Sequence, residues 1–182
     1  MNILKTKFDS VFLIKPVFLR DDRGFFVESY HKMKFSALGL SYTFLQDNHS
    51  YSEHRGTIRG LHYQLPPMAQ DKLVRVIKGS VLDVALDLRK NSPTFGQYEC
   101  FDLSATNGRM LLVPIGFAHG FMTLEDQTEV EYKVTNYYSK ELERGIIWND
   151  PQLDIPWPQK KEVFLSPKDS ILTSFAQTND FF

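Results

Sequence analysis

The chain of 182 residues contains a single cysteine, Cys100, so no internal disulfide can form and the fold must rest on a packed core. It has no excess of either charge. Its 21 Lys and Arg stand against 22 Asp and Glu, which argues against the strongly basic balance of a nucleic-acid binder. No stretch approaches the ~20 consecutive apolar residues that cross a bilayer. The opening segment MNILKTKFDSVFLIKPVFLRDDRG is broken by lysines and by Asp9, so it lacks the uninterrupted apolar centre of a secretory signal. No repeat, low-complexity tract or long linker divides the sequence. These absences predict one domain over residues 1–182, in the cytoplasm, without membrane or nucleic-acid partners.

What is present is aromatic and sheet-forming. Phe, Tyr and Trp make up 14% of the chain, a composition that suits pleated surfaces. VFLIKPVFL (Val11 to Leu19) is interrupted by Pro16 and predicts an edge or exchanged strand. DDRG reads as a turn, and FFVESY as the strand after it. HKMKFSALGL offers Met33, Phe35 and Leu38 on one helical face and ends at Gly39. From Phe44 onward short strands follow one another: KLVRVIKG, SVLDVALDLR, FGQYECFDLS, RMLLVPIG, HGFMTLED and TEVEYKVTNYYS. In SVLDVALDLR, Val81, Asp83, Ala85 and Asp87 alternate with Leu82, Val84, Leu86 and Leu88, a period of two. WNDPQLDIPWP is too rich in proline for regular structure and predicts a wrapping coil, and LSPKDSILTSF a short turn or helix. The simplest architecture is an all-β double-sheet barrel with an N-terminal arm over about residues 1–45 and a C-terminal coil over about 149–182.

RGLHYQLPPMAQDKLVRVIKG places Arg59, His62, Gln64 and Lys72 close together within sheet-like sequence. Alternation puts His62 and Gln64 on one face and Leu61 and Tyr63 on the other. Cations inside a barrel are costly unless a ligand or acidic groups compensate. Barrel mouths are common ligand sites.

Taken with DDRGFF, FLQDNHS, PIGFAHGF, EYKVTNYYS, ERGIIWNDP and LSPKD, these blocks occur in one order over nearly the whole chain. In that order the sequence resembles the dTDP-4-dehydrorhamnose 3,5-epimerases, nucleotide-sugar epimerases of the dTDP-L-rhamnose pathway. The resemblance implies a cupin-type jelly-roll, a homodimer with exchanged N-terminal strands, and no cofactor or metal. It also implies inversion at C3 and C5 of dTDP-4-dehydro-6-deoxy-D-glucose. It places Asp169 beside His62, Tyr132 as proton donor, and Tyr138 on the nucleotide base. It assigns substrate contacts to Phe26, Glu28, Gln46, Asn48, Gln64, His119, Glu143 and Lys168.

The chemistry asks for such groups. A hydrogen beside a ketone leaves as a proton because the enolate spreads charge onto oxygen. Inversion then needs a base on one face, a donor on the other, and a cation near the enolate oxygen. Histidine suits the base, since its unperturbed pKa is ~6.5. Lys72 suits the enolate. Arg59 suits a diphosphate, with Arg23 added across a dimer. Taken singly, each residue also has an ordinary role. His62 could be a hydrogen-bonded sheet residue, Lys72 an edge lysine, and Lys168-Asp169 a surface pair. Glu143 could pair with Arg144, Arg23 with Asp21 or Asp22, and one of Tyr137 and Tyr138 could pack in the core.

Three other functions fit parts of the pattern. A metal-dependent cupin enzyme would want two or three converging histidines, whereas His62-Tyr63-Gln64 offers one. A binding barrel would need no base and donor together. A C3-only epimerase, or one acting on another nucleotide-linked 4-keto sugar, would share all the machinery.

Overall fold

The computed structural model describes residues 1–182. Its strands are β1 (Asn2–Leu4), β2 (Phe12–Lys15), β3 (Phe18–Asp21), β4 (Gly24–Val27), β5 (Gln46–Ser52), β6 (Ile58–Gln64) and β7 (Lys72–Lys78). They continue as β8 (Ser80–Asp87), β9 (Tyr98–Ser104), β10 (Met110–Val113), β11 (Phe117–Thr123), β12 (Thr128–Val134) and β13 (Glu143–Gly145). One short helix, α1 (Lys32–Ala37), precedes β5, and 3-10 turns occupy Asp169–Ile171 and Phe175–Gln177. The strands form two antiparallel sheets, in the orders β1-β2-β10-β7-β12-β5 and β13-β6-β11-β8-β9. The architecture is the all-β double-sheet barrel that the sequence predicts, in the cupin-type jelly-roll form that the resemblance implies.

The period of two in β8 explains how the layers join. Val81 and Ala85 point between the sheets, where they meet Val74, Val76, Leu111 and Val130. Val84, Leu86 and Leu88 point the other way, onto Trp148, Leu153, Ile155 and Trp157. The strand is therefore buried on both faces, and its apolar residues are nearly continuous. The proline-rich segment wraps the outer face of the five-stranded sheet as coil. Within it the buried Trp157 Nε1–H donates to the Trp148 carbonyl at 2.7 Å. On the outer face of the six-stranded sheet, Phe35 and Leu40 cover Ile14, Leu73, Met110 and Leu112. Truncating a Leu in such a layer typically costs about 2–5 kcal/mol.

Three local readings need correction. Pro16 lies between β2 and β3, and it divides VFLIKPVFL into strands that go to different places. β2 sits inside the six-stranded sheet between β1 and β10, not at its edge. β3 leaves with β4 as a separate hairpin carrying Leu19, Phe25 and Phe26 at 62%, 57% and 63% exposure. FGQYECFDLS begins as a turn, and β9 starts at Tyr98. Neither Tyr137 nor Tyr138 packs in the core. β12 ends at Val134, so the two tyrosines lie on a loop where strand alternation no longer applies, and both are more than half exposed.

Candidate active site

Strict alternation along β6 would put Arg59 and His62 on opposite faces, because they are three positions apart. The structure brings both, with Gln64, to one cavity. The parity changes at Gly60. Its φ is +124°, and a Cβ there would fall 2.5 Å from the Gly120 Cα across the strand pair. The β6–β11 register shifts at the same place, between His119 and Phe121. Only glycine allows two backbones so close in that conformation.

The cavity, about 760 Å³, opens at one end of the barrel. β5 lines it with Gln46, Asn48 and Ser50, every second residue. β7 contributes Lys72, β11 His119 and Phe121, and β12 Tyr132. Lys72 lies opposite Val134 on β12, two residues from Tyr132, so the two side chains share a face. The rim holds Tyr138, Glu143 and a C-terminal strap over Ser166–Asp169.

The His62 Nε2 lies 2.5 Å from the Asp169 Oδ1. A proton on Nε2 directed at this carboxylate leaves Nδ1 with the free lone pair. The surface-pair alternative for Asp169 fails, because the residue is buried and the Ser166 Oγ accepts its N–H at 3.0 Å. Burial would raise the Asp169 carboxyl. The hydrogen bond and charge of His62, helped by Ser166 and Lys168, outweigh it and hold the carboxyl below its usual range.

Lys72 is not an edge lysine. β7 runs between β10 and β12. Its Nζ donates to the His62 carbonyl at 3.3 Å. Burial pushes the ammonium down to about 8, and Glu143 and Asp83 offset this only in part. Burial likewise raises the Tyr132 phenol, which keeps it a protonated acid. Arg59 is aimed by two contacts, Nε to the Ser52 Oγ at 3.2 Å and Nη2 to the Tyr51 carbonyl at 2.9 Å.

At the rim, Glu143 accepts from the Tyr138 hydroxyl at 2.9 Å and from the Lys168 Nζ at 2.7 Å. Arg144 turns away and pairs with Asp180 at 2.6 Å, so the Glu143–Arg144 side-chain pair does not form. The Gln46 Nε2–H donates to the Asn48 Oδ1 at 2.8 Å, and its Oε1 accepts the Tyr138 N–H at 3.3 Å. Gln64 lines the cavity, but its amide is committed to the rim loop. It donates to the Met68 and Tyr137 carbonyls and accepts from the Ser139 N–H. His119 stands opposite His62 in the β6–β11 pairing, and its Nε2 lies 3.0 Å from each Asp83 oxygen.

Arg23, Phe26 and Glu28 do not reach this cavity. Arg23 is held by Asp21, Glu28 pairs with Lys34, and Phe26 faces outward on the hairpin. Sequence reasoning also missed Ser166 and Phe121 in the cavity, and Asp83 behind His119. Asp83 had left a signal: it shares parity with Val81 and Ala85, so an acid sits on an inward face. Ser166 and Phe121 left none.

The family model described as dTDP-4-dehydrorhamnose 3,5-epimerase matches residues 5–177. The chain belongs to this epimerase family. The matched span includes every cavity residue, from Gln46 to Asp169. The chain is 51% identical over 170 residues to the dTDP-4-dehydrorhamnose 3,5-epimerase of Shigella flexneri, covering 93% of each protein. Among solved epimerases, that of Bacillus anthracis, with TDP and PPi bound, superposes with a TM-score of 0.93 at 51% identity, over 95% of this chain and 98% of the other. The enzyme of Legionella pneumophila, in complex with dTDP-4-keto-L-rhamnose, gives a TM-score of 0.93 at 44% identity, over 98% and 94%.

Proposed function

We propose that the protein is a cofactor-independent epimerase that inverts C3 and C5 of dTDP-4-dehydro-6-deoxy-D-glucose, giving dTDP-4-dehydro-L-rhamnose. The observation that carries this reading is the His62–Asp169 contact of 2.5 Å in a cavity also lined by Lys72 and Tyr132. His62 takes the proton from the carbon beside the 4-keto group. Asp169 fixes the imidazole tautomer and stabilises the imidazolium that forms. The Lys72 ammonium supports the developing enolate oxygen in a site of low dielectric. Tyr132 returns a proton on the opposite face, and repetition at the second carbon completes the double inversion.

Arg59 and Lys168 answer the diphosphate, and Tyr138 stacks on the thymine, with Gln46, Asn48, His119 and Glu143 giving polar contacts. The chain acts as a homodimer of single-domain subunits, in the cytoplasm. Its β3–β4 hairpin and the residue that follows it lay Arg23, Phe26 and Glu28 against the partner's cavity. The exposed Phe25 and Phe26, at 57% and 63%, support a hairpin built to be covered.

A C3-only outcome uses the same groups. One relative named dTDP-4-dehydrorhamnose 3-epimerase, from Streptomyces niveus, is 34% identical to the chain. The higher identity to relatives named 3,5-epimerase favours double inversion. Incubation with dTDP-4-dehydro-6-deoxy-D-glucose in heavy water, followed by NMR, tests the reading. Deuterium at both C3 and C5 is expected. Label at C3 alone selects the single inversion, and no label at either carbon removes the epimerase reading.

A further inference from the structure

Asp169 reaches His62 on a strap rather than from a neighbouring strand. What fixes the strap is therefore part of the site's geometry. On its N-terminal side the strap is tied at Phe164, whose N–H donates to the Gly56 carbonyl at 3.1 Å and whose carbonyl accepts the Ile58 N–H at 3.0 Å. On its C-terminal side, Thr173 pairs in parallel with Ile146, and the Ile147 N–H donates to the Thr173 carbonyl at 2.9 Å. Ile146 also exchanges two backbone hydrogen bonds with Leu61, at 3.1 and 2.9 Å. One short segment thus holds the residue before His62 on one side and the residue four after Asp169 on the other.

Asp150, in WNDP, anchors that arrangement from below. It is 2% exposed, and no Lys, Arg or His forms a salt bridge with it. Its Oδ1 accepts the N–H groups of Gln152 at 2.9 Å and Leu153 at 3.0 Å. Its Oδ2 accepts the Phe175 N–H at 2.7 Å. Phe175 follows Thr173 by two residues and wedges its ring against Phe95 and Phe181. A buried carboxylate satisfied only by backbone N–H groups is an unusual choice for a core, where an apolar side chain would cost less desolvation. Here it ties two chain segments that share no strand.

We propose that Asp150 is a positioning residue for the epimerisation: by pinning Phe175 it fixes the strap, and it acts on His62 through Asp169. The proposal rests on the function proposed above. Asp150→Asn keeps one acceptor oxygen but turns an amide N–H2 toward the Phe175 N–H. The expected result is a kcat reduced about tenfold, with KM for the dTDP sugar changed less than about threefold, because Lys168 alone among the proposed nucleotide contacts lies on the strap, while Arg59, Gln46, Asn48 and Tyr138 do not. The double variant Asp150→Asn/Asp169→Asn should be no more than about twofold slower than Asp169→Asn alone, since both changes break one relay. Should Asp150→Asn fail to fold, Asp150→Glu gives a milder displacement in the same assays. A folded Asp150 variant with full kcat, or losses that multiply in the double variant, overturns the proposal while Asp169→Asn remains slow. Asp169→Asn at full rate instead removes the underlying base assignment and this proposal with it.

Discussion

Two histidines line the same cavity from directly opposed positions on β6 and β11, each paired with a carboxylate, and the two pairs are built differently. His119 meets Asp83 from the adjacent strand β8, and both are deeply buried, with side chains 8% and 0% exposed. Sheet register alone fixes that pair. His62 is 22% exposed, and its partner comes from a segment 107 residues away that belongs to no sheet. The first pair can move only if the sheet moves. The second depends on a strap with its own anchors. The contrast separates a pair held rigid by the sheet, whose imidazole is suited to a fixed polar contact, from one whose imidazole is suited to cycling a proton.

The sharpest test of that contrast is His62→Asn, expected to reduce deuterium wash-in at C3 and C5 by at least about 10³-fold, the upper range for loss of a general base. Wash-in at an undiminished rate would end the distinction. Asp169→Asn should lower kcat about 10²-fold, with little change in Tm, because a partly exposed histidine can turn to water. Tyr132→Phe should impair epimerisation about tenfold more than the first exchange event, since abstraction precedes reprotonation. Equal losses in both would remove its donor role.

Lys72 adds a pH dependence. Its ammonium is charged below about 8, so kcat should fall as pH rises through that value, and Lys72→Arg should not show this limb. Stability responds to pH in the opposite direction. Below about 8 the folded state carries a buried charge at a cost; between about 8 and 10.5 it sheds the proton while the unfolded chain keeps it, and the cost declines. Lys72→Met should therefore be inactive yet raise Tm at pH 7 by at least about 2 °C, and by less at pH 10. An unchanged Tm at pH 7 would contradict the burial of the charge. Asp83→Ala should do the reverse of Asp169→Asn. It should lower stability by roughly 1–3 kcal/mol, read by denaturant unfolding, while kcat stays within about fivefold. A large kcat loss there would make the two pairs equivalent.

The fold class was open to reading because alternation is local. Val81 to Leu88 shows its two faces without any partner strand. The pairing of His62 with Asp169 was less legible. Family resemblance named it, but nothing in LSPKDSILTSF says that the strap returns to β6. That depends on Thr173 finding Ile146 and on Phe175 finding Asp150. Gln64 was legible as a cavity residue, not as a brace for the rim loop, because its three partners lie in two separate loops.

The sequence by itself determined the strands, their buried faces, and the residue types available for proton transfer, since side-chain period and chemistry are properties of short segments. Tertiary structure alone decided which of them meet. The Gly60–Gly120 contact turned Arg59 toward His62, burial depressed the Lys72 ammonium, and the strap carried Asp169 across. Each of those depends on atoms brought together from distant parts of the chain, whose proximity exists only once the barrel has closed.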